Sequence, residues 1–223
     1  MPESIPVPTP PPVFASQPGA AGGWVVRPDI LNPIDFSGLF GNTNPVELEL
    51  GAGDGSFIVR HAAEHPECNF LAIERLLGRL RKIDRKARMQ GLTNLRGMRI
   101  EAGYLLERML APGSLSAIHV YFPDPWPKRR HWKHRLIQNA FAPFAHEALA
   151  IGGTVYLRTD HTGYFDQMLA VFATASGFEP ISAPATLLAN QTDFEREFNA
   201  QGIPTQVATY RKTSASGPCI PAH

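Results

Sequence analysis

Val46-Glu47-Leu48-Glu49-Leu50-Gly51-Ala52-Gly53-Asp54-Gly55 is the stretch that decides the fold. Val46–Leu50 reads as a strand, the glycines as a tight turn, and residues 57–65 as a helix. Glycine at alternate positions lets the backbone turn sharply and come close to a ligand. Outward from this unit the same order repeats. Strands are predicted at 69–74, 95–102, 116–122 and 153–160, and helices at 76–90, 105–110, 135–150 and 164–176. Residues 178–183 and 206–212 read as a closing antiparallel pair. Strands alternating with helices predict an α/β domain with a mostly parallel sheet covered on both faces. Ligands on such sheets bind beyond the carboxyl ends of the strands, where strand order reverses. Glu49, Glu74, Glu101, Asp124 and Asp160 all fall at those ends.

The turn spells GxGxG through Gly51, Gly53 and Gly55. A dinucleotide fingerprint needs a glycine at position 56, where this chain has Ser56. That difference points away from a nicotinamide cofactor and toward the S-adenosylmethionine loop of methyltransferases, although a plain strand–helix turn can carry the same letters. Glu74 ends the second strand about 20 residues after the glycines, where an acid can accept hydrogen bonds from two ribose hydroxyls. Glu101, at the end of the third, is a candidate acceptor for an adenine amino group.

Tyr121-Phe122-Pro123-Asp124-Pro125-Trp126-Pro127-Lys128-Arg129-Arg130 follows the fourth strand. Three prolines around an acid and an aromatic leave little conformational freedom, so Asp124 and Trp126 are held before any substrate arrives. Phe122 and Trp126 offer stacking surfaces for a flat base. Asp124 can accept from a guanine's Watson–Crick edge, and the basic run can hold phosphates.

The net charge of +1 conceals an uneven distribution. Residues 75–99 hold nine Lys/Arg against one acid, Asp84, and residues 128–135 add five more, together 14 of the 21 basic residues. Concentrated positive charge attracts polyanions, though it also suits a solvated helix face. Two distant cysteines, Cys68 and Cys219, make no zinc or disulfide pattern, and no metal is expected. Neither a signal peptide nor a membrane span is read, which makes a cytoplasmic location the default. Residues 1–33 hold nine of the 21 prolines and read as a loosely docked or mobile extension. Residues 34–212 read as the single folded domain, and 213–223 as a frayed tail.

The segment PDPWPKRRH with its basic continuation strongly resembles the bacterial tRNA (guanine-N7-)-methyltransferase family. The glycine loop, Ile73-Glu74, Arg158-Thr159-Asp160 and Thr192-Asp193-Phe194-Glu195 match that family in order and spacing, over about residues 46–212. The resemblance implies a Rossmann-like class I methyltransferase fold that moves a methyl group from S-adenosylmethionine to N7 of a guanine in tRNA, usually guanine 46 of the variable loop. It implies cofactor contacts from Glu49, Gly51, Gly53, Gly55, Glu74, Glu101 and Asp124, with Asp124 also catalytic. Lys128, Asp160 and Thr192–Glu195 would bind tRNA. The family usually has Asp or Asn where this chain has Glu101. Read without the family, Thr192 and Glu195 are a helix capping box and Asp160 a helix cap, and His119 and His161 are satisfied or exposed rather than catalytic. A monomer or homodimer is expected. A methyltransferase for proteins or small molecules and a non-catalytic RNA-binding subunit are the alternatives, but the first leaves the basic cluster beside PDPW unexplained.

Overall fold

The computed structural model describes residues 24–27 and 29–213. In chain order it runs β1 (Val25–Val26), α1 (Phe36–Phe40), β2 (Val46–Leu50), α2 (Ile58–Glu64), β3 (Asn69–Ile73), α3 (Leu77–Met89), β4 (Leu95–Met98), α4 (Ala102–Arg108) and β5 (Leu115–Tyr121). A 3-10 helix (Arg129–His134) follows, then α5 (Phe141–Ala148), β6 (Leu149–Thr159), α6 (Thr162–Ala173), β7 (Phe178–Pro180), α7 (Ala185–Ala189), α8 (Asp193–Ala200) and β8 (Gln206–Lys212). One sheet orders the strands β1-β4-β3-β2-β5-β6-β8-β7. The first six run parallel, while β8 is antiparallel to both β6 and β7. Strand order reverses between β2 and β5, so a crevice opens beyond the carboxyl ends of that pair.

Strand periodicity splits the sheet into two unlike faces. Leu48, Leu50, Leu71, Ile73, Ile118, Val120, Val155 and Leu157 point one way, onto residues of α4, α5 and α6. Their neighbours point the other way, onto α2, α3 and α7, and include Glu47, Glu49, His119, Tyr121, Tyr156 and Arg158 among Phe70 and Ala72. No helix among the described residues is long and apolar enough to cross a membrane.

The expected helix over 135–150 begins only at Phe141 as α5, after a 3-10 helix that ends at His134 and an extended Arg135. Arg135 takes φ −63, ψ 139, because its side chain turns inward to bond elsewhere. Similarly, the expected strand over 95–102 stops at Met98, since Glu101 caps α4 by accepting from Tyr104 N at 2.7 Å. Trp24 belongs to the stretch read as an extension, and yet it is buried beside an edge strand. Its indole lies where a β-carbon on Gly97 would fall, 2.2 Å away, so only glycine fits beneath it. The reading of residues 1–23 and 214–223 lies outside the described residues.

Candidate active site

The glycine turn sits at the crevice. Gly51 N and Ala52 N both donate to Ile73 O at 2.9 Å, folding the loop back over β3. Gly51 (φ 79) and Gly53 (φ 56) adopt left-handed conformations, and the space where a β-carbon would stand is open at both. Gly55 differs: a β-carbon there would meet Ile83 at 2.8 Å, so this glycine lets α3 pack against the loop and does not line the crevice.

Glu74 fastens the loop from below. Its carboxylate accepts from Gly53 N at 3.1 Å and Leu76 N at 2.8 Å, and Arg79 stands 3.8 Å off. Glu49 lies deeper, 3% exposed, with Oε2 unpartnered. Burial pushes its carboxyl up to about 8, although the Arg158 charge pulls in the opposite direction.

The proline-rich loop forms the opposite wall. Phe122 (φ 50) and Trp126 (φ 45) are the non-glycine residues with positive φ among those described. Such conformations cost bulky residues on the order of 1–2 kcal/mol each and persist only when the surroundings impose them. The surroundings here are specific. Phe122 N donates to Arg158 O at 2.8 Å. Arg135, 3% exposed, donates from Nε to Pro125 O at 2.7 Å and from Nη1 to Gln167 at 2.8 Å, with its guanidinium flanked by Trp132 and Tyr164. Trp126 packs against His131 and His134. Sequence reasoning set Arg135 within the exposed RNA grip, and burial corrects that: it is the brace of the loop.

A second buried arginine was quoted in the sequence only as part of a motif. Arg158, 1% exposed, pairs with Glu195 at 2.9 Å and donates to Asn190 O and Leu187 O. An arginine between Leu157 and Thr159 in a buried strand was the available signal, since arginine is almost never fully buried unless paired. Through this contact α7 and α8 are fixed to the sheet. Thr192 and Glu195 form a capping box, with Glu195 4% exposed. Asp193 N donates to Ser56 Oγ at 3.0 Å, and the exposed Phe194 ring stands 5.0 Å from Phe122. Asp160 does not cap α6; His161 does, accepting from Tyr164 N at 3.1 Å.

The two walls enclose a cavity of about 550 Å³. Gly51, Glu74, Glu101, Phe122, Asp124 and Trp126 share its lining. Lys128, Asp160 and the Thr192–Glu195 segment are outside it, as is the side of the loop bearing Gly53 and Gly55.

Residues 43–207 match the family model described as "Putative methyltransferase". A tRNA (guanine-N(7)-)-methyltransferase of Geobacter metallireducens is 35% identical over 197 residues, covering 86% of this chain and 93% of that one. One from Syntrophotalea carbinolica is 37% identical, covering 78% and 76%. The chain belongs to the tRNA (guanine-N7-)-methyltransferase family. Among solved structures, the 16S rRNA methyltransferase KamB superposes with a TM-score of 0.55 at 14% identity, covering 82% of this chain and 95% of that one. TrmN from Thermus thermophilus does so with 0.54 at 17%, covering 81% and 45%. At these identities the likeness is one of fold.

The site suits the adenosyl cofactor that this methyltransferase family uses. Two glycines leave open space where side chains would intrude, Glu74 and Glu101 present carboxylates to one cavity, and the buried Glu49 oxygen lacks a partner. Cavities of roughly 300–1,000 Å³ are usual for ligands of such size.

Proposed function

We propose that this chain transfers the methyl group of S-adenosylmethionine to N7 of a guanine in tRNA, guanine 46 of the variable loop by resemblance, in the cytoplasm and as a monomer or homodimer. One observation carries the reading: a single cavity joins the glycine loop, Glu74 and Glu101 to a strained loop bearing Asp124 and Trp126. A cofactor wall and a base-sized aromatic wall facing each other suit transfer between two bound molecules.

The cofactor supplies an electrophilic methyl on a positively charged sulfur. Gly51, Gly53, Glu74 and Glu101 hold it, with Glu49 beneath, and Gly55 serves by letting α3 close on the loop. Guanine N7 has a lone pair and no proton, so the chain needs no general base. Its work is placement and electrostatics. Trp126 supports the base, and the Asp124 carboxylate stabilises the positive charge that N7 acquires. Arg135 keeps Asp124 and Trp126 in position through Pro125.

RNA reaches the cavity across positive charge. Arg75, Arg81, Lys82 and Arg85 are exposed and make no ion pair among the described residues. Lys128, Arg129 and Lys133 extend that surface across the 3-10 helix. Phosphate contacts of this kind make affinity fall steeply with salt. Asp160, Asp193 and Phe194 contact tRNA beside them, with Thr192 and Glu195 shaping the segment that presents Phe194.

The deciding experiment is mass spectrometry of nucleosides from unmodified tRNA incubated with the chain and S-adenosylmethionine. 7-Methylguanosine should appear, at a rate that declines as salt rises. Methyl label recovered in protein or small molecules instead would overturn the reading.

A further inference from the structure

The polar face of the sheet holds a second cluster, outside the lining of the cavity. Glu47 Oε2 lies 3.0 Å from His61 Nε2 and 2.8 Å from His119 Nε2. The three side chains come from β2, α2 and β5, which explains why no ligand pattern shows in the sequence. We propose that Glu47, His61 and His119 form a binding site for one divalent transition metal of the zinc type.

The donor set and its geometry both argue for this. Two imidazoles and a carboxylate are ligands that zinc takes, at about 2.0–2.2 Å, leaving a fourth position for water. A tetrahedron of those bond lengths separates its ligand atoms by about 3.3 Å. The donor atoms present all lie within 4.8 Å of one another, and the two contacts to Glu47 need open by only a few tenths of an ångström. Metal-bound histidines characteristically give their other ring nitrogen to an oxygen. His119 Nδ1 already lies 2.8 Å from the Tyr121 hydroxyl. On binding, a neutral His119 shifts its proton to Nδ1 and presents the Nε2 lone pair; the Tyr121 oxygen accepts that proton's hydrogen bond.

The surroundings fix the rings and leave a way in. His119 stacks on Tyr156, and Phe57 packs against His61, His119 and Tyr121. The Glu47 side chain is 19% exposed. His61 also belongs to a second potential ligand group with Glu64 and His65 on the outer turn of α2, where both neighbours reach solvent. Those residues provide an approach from outside. The metal would lock α2 to β2 and β5.

The test uses the full chain without a histidine tag, stripped with chelator. Zn²⁺ should bind with one-to-one stoichiometry in calorimetry, and Co²⁺ should develop the visible absorption of a tetrahedral site. At a hundredfold excess over Kd, Zn²⁺ should raise Tm by about 5 °C or more. Glu47→Gln and His61→Gln should each weaken binding by about a hundredfold or more. Absence of equimolar uptake by the wild-type chain at micromolar Zn²⁺ overturns the proposal, as does uptake that both folded variants retain. The wild-type titration decides even if a variant does not fold. None of these readouts depends on methyl transfer.

Discussion

The two faces of this sheet come from the same strands and are built on opposite rules. On one, Leu48, Ile118, Val120, Val155 and Leu157 are sealed under three helices with no charge among them. On the other, Glu49, His119, Tyr121 and Arg158 are nearly as well buried and Glu47 is partly so, and β2, β5 and β6 contribute alternately to both. Buried polar groups cost free energy unless they are hydrogen-bonded. Here they are mostly paired: Arg158 with Glu195 and the carbonyls of Leu187 and Asn190, and Glu47 with His61 and His119. The aliphatic face holds the protein together, while the polar face holds the site in shape.

Arg158 is where that division should break most severely. Arg158→Met leaves the buried Glu195 carboxylate without its charged partner, held only by Thr192 N, and removing one member of a buried pair costs about 3–5 kcal/mol. Leu187 O and Asn190 O lose their donor as well. Urea unfolding should record a loss in that range. The double variant Arg158→Met, Glu195→Gln should recover part of it. A loss below about 1 kcal/mol for the single variant would show that the polar face is not held by this pair.

Asp124 should show the converse, function without stability. The residue is exposed and its removal opens no cavity. Asp124→Ala should lower kcat by about 10²–10³-fold, the typical effect of deleting one preorganised electrostatic group, with Tm nearly unchanged. Near wild-type turnover on tRNA would remove Asp124 from the chemistry.

The arrangement of the fold was legible because helix and strand periods differ and glycine marks the turns. Val46–Gly55, the parallel order and the antiparallel end all follow from local pattern. So did the positions of Glu74 and Asp124, just after a strand and in the loop following one, whereas Glu101 caps the helix after its strand. What stayed hidden depends on contacts between distant segments. Arg135 stands in a run of exposed bases and nothing local separates it from Lys133; only the approach of Pro125 and Gln167 makes it a brace. Glu195 read from the local pattern as a cap and from the resemblance as a tRNA ligand, and the structure adds its pairing with Arg158. Glu47, His61 and His119 come together only when β2, α2 and β5 assemble. Gly55 shared a motif with Gly51 and Gly53, but the sequence could not reveal Ile83 against it.

A conservative change on the aliphatic face gives the control for both variants above. Ile118 is fully buried in that core and is not itself among the residues that line the cavity. Ile118→Val removes one methylene and should cost about 0.5–1.5 kcal/mol. The KM for S-adenosylmethionine should not move, and a severalfold rise in it would mean that the two faces are coupled through the strands.

The smallest effect belongs to the charge pair at the rim of the polar face. Lys86 Nζ lies 2.7 Å from Asp54 Oδ2 and donates to Asp54 O at 2.9 Å, tying the glycine loop to α3. Burial alone would raise the Asp54 carboxyl, but the Lys86 hydrogen bond and charge outweigh it and hold the group below its ordinary 3.8. A carboxyl depressed in the folded state adds stability that is complete above its unfolded value and is lost as pH falls through the folded one. Both partners are more than a third solvent-exposed, so screening limits the contribution to about 0.2–1 kcal/mol. The Tm difference between wild type and Asp54→Asn should therefore be small and constant from about pH 8 to 5, then close below about pH 4. Added salt should shrink it at neutral pH. A difference that widens in acid would show that Asp54 is not stabilised by Lys86. One that ignores salt would place the pair among the buried contacts of the polar face, beside Arg158 and Glu195.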